Sequence, residues 1–314
     1  MTLDPTYLEY PKRHRGMDHD LYRWSNLFER SAVKWPDDKR VATWIVVDLE
    51  YFPLTPSDKP FRAPGHMQTP YPDYRHYSAR EYGTRVGFYR LLDSFAKLGV
   101  QVSVAVNSVI AERYPRLVAD IVSGGHEIIA HSTDMNGTIA TGLDAGAERD
   151  LILRSLDGLE RAAGKRPRGW RSIARSQSAN TLRLLAEAGV EYQCDWVNDD
   201  LPYWMTTPAG PIGNMPLNHE LSDRQIITVQ QQSMDSYVQQ IEDAFAFLSA
   251  EASRFGGRML ALNVTPYITG LPYRMDLFDS MLTWLAAKPE GWIARGDAIF
   301  DTWKAQLPVP KKQG

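Results

Sequence analysis

Three residues of this chain have the types and placement for acid–base chemistry: Asp48 and Glu50 in Ile45-Val46-Val47-Asp48-Leu49-Glu50, and His131 in Ile128-Ile129-Ala130-His131-Ser132. Each stands where a run of strand-forming residues ends. Carboxylates and a histidine at the carboxyl ends of successive strands are what a barrel hydrolase uses to aim a base and an acid at one bond. Asp48 and Glu50 are two apart, so on a continuing strand both face the same side. Two carboxylates held close cannot both ionise easily, which raises one pKa and makes a base or a shared-proton acid available near neutrality. The plainer alternative is a strand-end Asp capping a loop beside a solvated Glu, with His131 a satisfied core histidine.

These side chains need strands to carry them, and the apolar pattern predicts strands at 41–48, 101–107, 126–131, 168–172, 190–195, 225–230, 258–264 and 291–295. Helical stripes lie between them. Phe88, Leu91, Leu92 and Phe95 run up to Gly99, Ile152, Leu156, Leu159 and Ala163 run up to Gly164, and Leu182, Leu185 and Ala186 precede Gly189. Tyr237, Ile241, Phe245 and Leu248 form a fourth stripe, started by Ser233 or Asp235. Repeated strand–helix alternation implies a parallel sheet, and closure into a barrel would remove its edges. An open doubly wound sheet is the alternative, but no Gly-x-Gly-x-x-Gly follows the first strand to mark a dinucleotide site. In such a barrel the polar residues ending the strands share one mouth: besides the opening trio, Asn107, Arg171, Asp195 with Asn198, Asp199 and Asp200, and Asn263 with Thr265. Arg85 and Trp170 join Arg171 as candidate substrate contacts, since a guanidinium fork matches a carboxylate or ureide oxygen.

The predicted organisation is an N-terminal arm over 1–40, a barrel over 41–304 and a C-terminal tail over 305–314. An insert at about 51–86, rich in proline and aromatics, reads as an ordered cover for the barrel mouth or a contact with another subunit. Composition is 43% hydrophobic and 23% charged with a net charge of -3, which argues against a nucleic-acid surface. The single cysteine, Cys194, cannot form an intramolecular disulfide and reads as core filler in a cytoplasmic protein. No stretch reaches the roughly 20 apolar residues of a membrane span, and no secretion signal is evident at Met1-Thr2-Leu3-Asp4-Pro5.

Gly125-His126-Glu127-Ile128-Ile129-Ala130-His131-Ser132 resembles the second motif of the NodB-type polysaccharide deacetylase superfamily, Gly-His-Glu-Ile-x-x-His-Ser/Gly. Arg166-Pro167-Arg168-Gly169-Trp170, the segment from Leu184 to Gly189, that from Cys194 to Asp200 and that from Pro266 to Arg274 are similar to the rest of the set. Together with the segments Arg15 to Asp20 and Arg80 to Gly87, they point to a cytosolic branch with allantoinase-like and cyclic-imide-hydrolase-like members. The likeness runs from about residue 10 to about residue 303. It implies a deformed (β/α)7-8 barrel, hydrolysis of a carbon–nitrogen bond in an amide, cyclic ureide or imide, and a homo-oligomer, a dimer or tetramer.

In metal-using members the first motif supplies a carboxylate base and a carboxylate ligand, and the second supplies two histidines spaced His-x-x-x-His. Carried onto this chain, the resemblance makes Asp48 the base, Glu50 a ligand and His131 the first histidine. The second position is Met135, whose thioether suits zinc-like divalent ions poorly. Asp134 could substitute one residue early, yet Asp134-Met135-Asn136-Gly137 also reads as a turn. Where members carry a general-acid histidine in Leu-His-Pro, this chain has Asn263-Val264-Thr265-Pro266. Then His131 takes over as proton donor, His219 reaches in, or catalysis has been lost or redirected. The expectation is a hydrolase of a small cyclic amide, ureide or imide that uses a carboxylate and His131 without the usual metal centre. The alternatives are a metal-dependent polysaccharide N-deacetylase with Glu50, His131 and Asp134 around zinc, or a degenerate barrel that only binds a small molecule.

Overall fold

The structure, a computed structural model, describes residues 19–55 and 72–309. Its strands are β1 (Val41–Leu49), β2 (Ser103–Val106), β3 (Glu127–Ala130), β4 (Gly169–Trp170), β5 (Tyr192–Gln193), β6 (Tyr203–Thr207), β7 (Gly210–Asn214), β8 (Arg258–Val264) and β9 (Gly291–Ile293). They form one sheet in the order β6-β7-β5-β4-β3-β2-β1-β8, with β9 beside the start of β1. All pairings are parallel except the β6–β7 hairpin. This is the expected deformed α/β barrel with one difference: the sheet curls but stays open, because β6 and β8 end it without pairing to each other among the described residues. The helices are α1 (Tyr74–Tyr82), α2 (Phe88–Leu98), α3 (Ser108–Arg113), α4 (Pro115–Ser123), α5 (Ala145–Ala163), α6 (Thr181–Glu187), α7 (Met234–Phe255), α8 (Pro266–Thr269), α9 (Pro272–Ala286) and α10 (Gly296–Gln306). None is long and apolar enough to cross a membrane.

Two cores flank the sheet, and strand alternation assigns residues to them. Val41, Ile45, Val47 and Leu49 of β1 pack with the stripes of α2, α5 and α7. Ala42, Trp44 and Val46 point the other way, into the barrel, with Ala105, Ile129, Tyr192, Cys194, Met259 and Ala261. Asp48 and Glu50 continue the inward series, as His131 continues from Ile129 and Asn263 from Ala261. Every side chain of β1 is buried, so its near-continuous apolar run is what a strand covered on both faces requires. Cys194 lies in the inner core as expected of filler, and burial pushes its thiol well above the usual range.

The strand expected at 225–230 is instead a single π-helical stretch, Arg224–Val229. Its β-branched residues meet the core through Ile226 and Ile227, while Asp223 anchors its start, so tertiary contacts override local propensity. The β6–β7 hairpin was not expected, since Pro202, Pro208 and Pro211 broke up the apolar signal around it. In the insert, residues 56–71 lie outside the described residues, whereas Tyr74 to Leu98 forms α1, a π turn at Gly83–Gly87 and α2 in succession. The π turn packs on α8 backbone to backbone: a Cβ at Gly87 would stand 2.1 Å from the Pro266 carbonyl oxygen. Within the arm, Val33 and Trp35 close the lower end of the inner core, and the Trp35 indole donates to the Arg258 carbonyl at 2.8 Å.

At that lower end the Glu127 carboxyl is enclosed by Ser103 Oγ, the Tyr192 hydroxyl and the backbone N–H of Asp297. Burial, helped by the nearby Asp297 charge, pushes it up to about 7. A carboxyl with a folded pKa above its unfolded value takes up its proton preferentially in the native state. The contribution of this group to stability is therefore most favourable below about pH 4 and is lost as pH rises to about 7. The loss from this group is on the order of 3 kcal/mol. Glu127→Gln keeps the shape and removes the charge. In chemical denaturation from pH 4.5 to 8 the variant is expected to show a flatter profile and to exceed the parent at pH 8; parallel profiles would contradict this.

Candidate active site

Sheet register brings the candidate side chains to one level. Leu49, Val106, Ala130 and Trp170 form a row across β1–β4. The residues that follow them continue the ladder: Asn107 N donates to Leu49 O at 3.3 Å, His131 N to Val106 O at 3.0 Å and Arg171 N to Ala130 O at 2.9 Å. Glu50, Asn107, His131 and Arg171 thus leave the sheet side by side at its carboxyl edge. After His131 the chain turns away sharply: Ser132 has φ 60, and its hydroxyl donates to Gly137 O at 2.7 Å.

Asp48 is buried against Arg171, whose Nη1 donates to Asp48 Oδ1 and whose Nη2 donates to Asn263 Oδ1 at 3.0 Å. Burial opposes the charge on Arg171, but the Asp48 carboxylate overcomes it and raises the guanidinium above its usual range. Asp48 Oδ2 is buried with no partner, as are His131 Nε2 and Arg171 Nε. On the other side His131 Nδ1 lies 2.8 Å from the Arg171 carbonyl oxygen. A carbonyl only accepts, so Nδ1 carries a proton and Nε2 is the nitrogen left for chemistry.

Glu50 is held differently. Arg224 Nη2 donates to both of its oxygens at 2.8 Å, and the Tyr267 hydroxyl donates to Oε2 at 2.7 Å. His131 Nε2 stands 3.9 Å from Glu50 Oε1, too far for a hydrogen bond but close for a charge contact. Burial alone would push the Glu50 carboxyl up; Arg224, with His131 and Tyr267, overcomes it and holds the group well below the carboxylate range. Glu50 is consequently a permanent anion, and the shared-proton pair expected from the spacing does not arise.

Several sequence-based assignments change. Arg85 points to solvent, 73% exposed and 3.8 Å from Glu81, because the π turn faces it away from the barrel. Trp170 is fully buried on the helix side of the sheet, with its indole donating to Ser172 Oγ at 2.9 Å; alternation turns Arg171 inward and Trp170 outward. Asn107 clamps the two strand ends, accepting from Tyr51 N at 2.7 Å and donating to His131 O. Asp195 accepts from Ser172 N at 2.9 Å and from Gln177 Nε2 at 2.7 Å, so it positions the loop after β4. Thr265 is fully buried, and its N–H and hydroxyl both donate to Asp223, at 2.6 and 3.0 Å. Asp199 and Asp200 pair with Arg30 and Arg258, away from the trio. His219 lies 3.2 Å from Arg175 Nη1, and burial followed by that guanidinium lowers its pKa, so it is a poor proton donor near neutrality.

Sequence reasoning missed Arg224 and Arg175 and quoted Tyr267 only within a motif. The one signal for Arg224 was a charged pair, Asp223-Arg224, at the head of an apolar run. Arg175, with φ 55 in the turn after β4, donates to Leu217 O at 3.1 Å; burial and repulsion from Arg171 lower its pKa to about 10.

The side chains present do not fit the metal centre implied by the resemblance. Met135 is buried in the helix-facing core. Asp134 closes its own turn, accepting from Asn136 N at 2.8 Å. Of the two remaining ligands, His131 and Glu50, the latter is already bound to a guanidinium. No group of three His, Cys, Asp or Glu among the described residues is arranged to hold an ion.

A curled half-barrel with a carboxylate, an imidazole and an arginine converging at its strand ends defines an α/β barrel of the deacetylase type. The profile of the Polysaccharide deacetylase family matches residues 80–193. The chain is 25% identical over 302 residues to a "Putative polysaccharide deacetylase" of Schizosaccharomyces pombe (strain 972 / ATCC 24843), covering 87% of this chain and 93% of that one. Among solved structures, a "probable Polysaccharide deacetylase from Pseudomonas aeruginosa PAO1" superposes with a TM-score of 0.79 at 27% identity, over 88% of this chain and 95% of that one. The structure titled "Puue Allantoinase" superposes with a TM-score of 0.78 at 25% identity, over 92% of this chain and all of that one (100%). By these likenesses the chain is similar to polysaccharide deacetylases over most of its length and shares their fold.

Proposed function

We propose that this protein hydrolyses a non-peptide carbon–nitrogen bond in a small amide, with Asp48 as base and His131 as proton donor. The observation that carries this reading is the pair of buried, unpartnered atoms, Asp48 Oδ2 and His131 Nε2, at the ends of β1 and β3. A buried polar atom without a partner costs about 1–3 kcal/mol, and such atoms persist where a ligand or a reaction needs them. In this mechanism Asp48 Oδ2 takes a proton from water as the water oxygen attacks the carbonyl carbon. The oxyanion that forms faces the Arg171 guanidinium. As the carbon–nitrogen bond breaks, the nitrogen takes the proton from Nε2 of a protonated His131, and the proton on Asp48 then returns to His131. Glu50 does not serve as base, because both its oxygens hold Arg224.

Substrate size follows from enclosure. Asp48 and His131 are each 1% exposed, which favours a small molecule admitted by local opening over a polymer lying across a groove. A cyclic amide, ureide or imide is such a small molecule, and the likeness to an allantoinase structure supports it. Removal of an acetyl group from a sugar nitrogen is the second reading, favoured by the names of the deacetylase relatives; it uses the same bond type and the same residues. Both are tested by incubating the protein and its Asp48→Asn variant with metabolite extracts and N-acetylated sugars and following the mixtures by mass spectrometry. The parent is expected to convert an amide into its amine and carboxylate products, and the folded variant is not. Equal conversion by both, or by neither, would refute the proposal.

A further inference from the structure

We propose that Arg224 is the resident cation of this site, standing beside Glu50 and His131 where the resemblance expects a metal ion. Its Nη2 bridges both Glu50 oxygens at 2.8 Å and lies 2.9 Å from the Tyr267 hydroxyl. Glu50 in turn stands 3.9 Å from His131 Nε2. One guanidinium nitrogen therefore contacts the oxygens that a bound ion would need, and a second cation there would meet its charge at close range.

The same arrangement accounts for Thr265. Asp223, the residue before Arg224, accepts from Thr265 N, Thr265 Oγ1 and Thr269 Oγ1 at 2.6, 3.0 and 2.7 Å. That triple anchor fixes the first residue of the π-helical stretch and so aims Arg224 at Glu50. The threonine in place of the general-acid histidine thus belongs with a fixed internal cation, beside which a second metal ligand at Met135 has no use. Arg224 is also the most accessible member of the cluster, its side chain 15% exposed against 7% for Arg171 and 1% for Glu50 and His131. Its Nε and Nη1 have no other partner among the described residues, so they can donate to a carbonyl or carboxylate oxygen of an incoming ligand. A guanidinium polarises such an oxygen by hydrogen bonding and does not generate a hydroxide from water, so a separate base is still required. The ligand contact rests on the amide-hydrolysis reading; the cation assignment does not.

The experiment reads cation occupancy without turnover. The full chain, Arg224→Lys and Arg224→Ala are stripped with chelator and dialysed against micromolar zinc. Bound zinc is counted by mass spectrometry, and melting is followed with zinc, with millimolar guanidinium, and with sodium chloride as control. The parent and Arg224→Lys are expected to hold no stoichiometric zinc and to show no zinc-dependent melting shift. Arg224→Ala, with its cation place emptied, is expected to melt several degrees lower and to regain part of that loss with guanidinium or zinc but not sodium. Stoichiometric zinc in the parent, abolished by Glu50→Gln, would overturn the assignment whether or not Arg224→Ala folds. So would a folded Arg224→Ala indifferent to all three cations.

Discussion

Arg171→Met is expected to destabilise the protein by roughly 3–5 kcal/mol, the usual cost of leaving one member of a buried ion pair uncompensated. The Asp48 side chain is 0% exposed and its Oδ2 already lacks a partner, so losing Arg171 strands an anion with no replacement donor. Asn263 Oδ1 loses its donor as well. For a chain of this size the fall in melting temperature should be about 5–8 °C. The double variant Asp48→Asn/Arg171→Met, which has no charge to strand, should recover much of the loss. Calorimetry of both variants and the parent at pH 7 gives the comparison. A single variant within about 1 kcal/mol of the parent would show that Asp48 is compensated some other way.

His131→Ala is expected to lower kcat by roughly 10²–10⁴, the range for removing a positioned acid or base. The effect should fall on kcat more than on KM, because the ring acts on the leaving nitrogen rather than on recognition. His131→Gln should remain as inactive while keeping more of the side chain's volume, which separates proton transfer from packing. Rates are to be measured on the substrate found by comparing the parent with Asp48→Asn. Unchanged turnover in either His131 variant would remove His131 from the mechanism.

Much of the scaffold could be read from alternation and stop signals. The runs at 41–48 and 258–264 became β1 and β8, and Gly99 and Gly164, with φ 64 and 73, end α2 and α5 as their positions suggested. Trp170 was misplaced although the spacing held a warning: it adjoins Arg171 on the strand, so only one of the two could face the barrel. The run Gln225-Ile226-Ile227-Thr228-Val229 was not readable, since a short β-branched segment fits a strand or a buried turn equally until its contacts are known. Carboxylate pairing was misjudged for a related reason. Spacing of two put Asp48 and Glu50 on one face, but each meets an arginine from a distant segment, Arg171 at 123 residues and Arg224 at 174 residues away.

By itself the sequence determined the periodic pattern, and with it the parallel strands, the inward direction of Asp48, Glu50 and His131, and the level at which they leave the sheet. Only the tertiary structure decided what those groups are bonded to, and therefore which carboxylate retains a lone pair for water and which is fixed as the counterion of Arg224. The reason is physical: direction along a strand follows from local geometry repeating every two residues, whereas charge state and free valence depend on burial and on partners brought together by long-range folding.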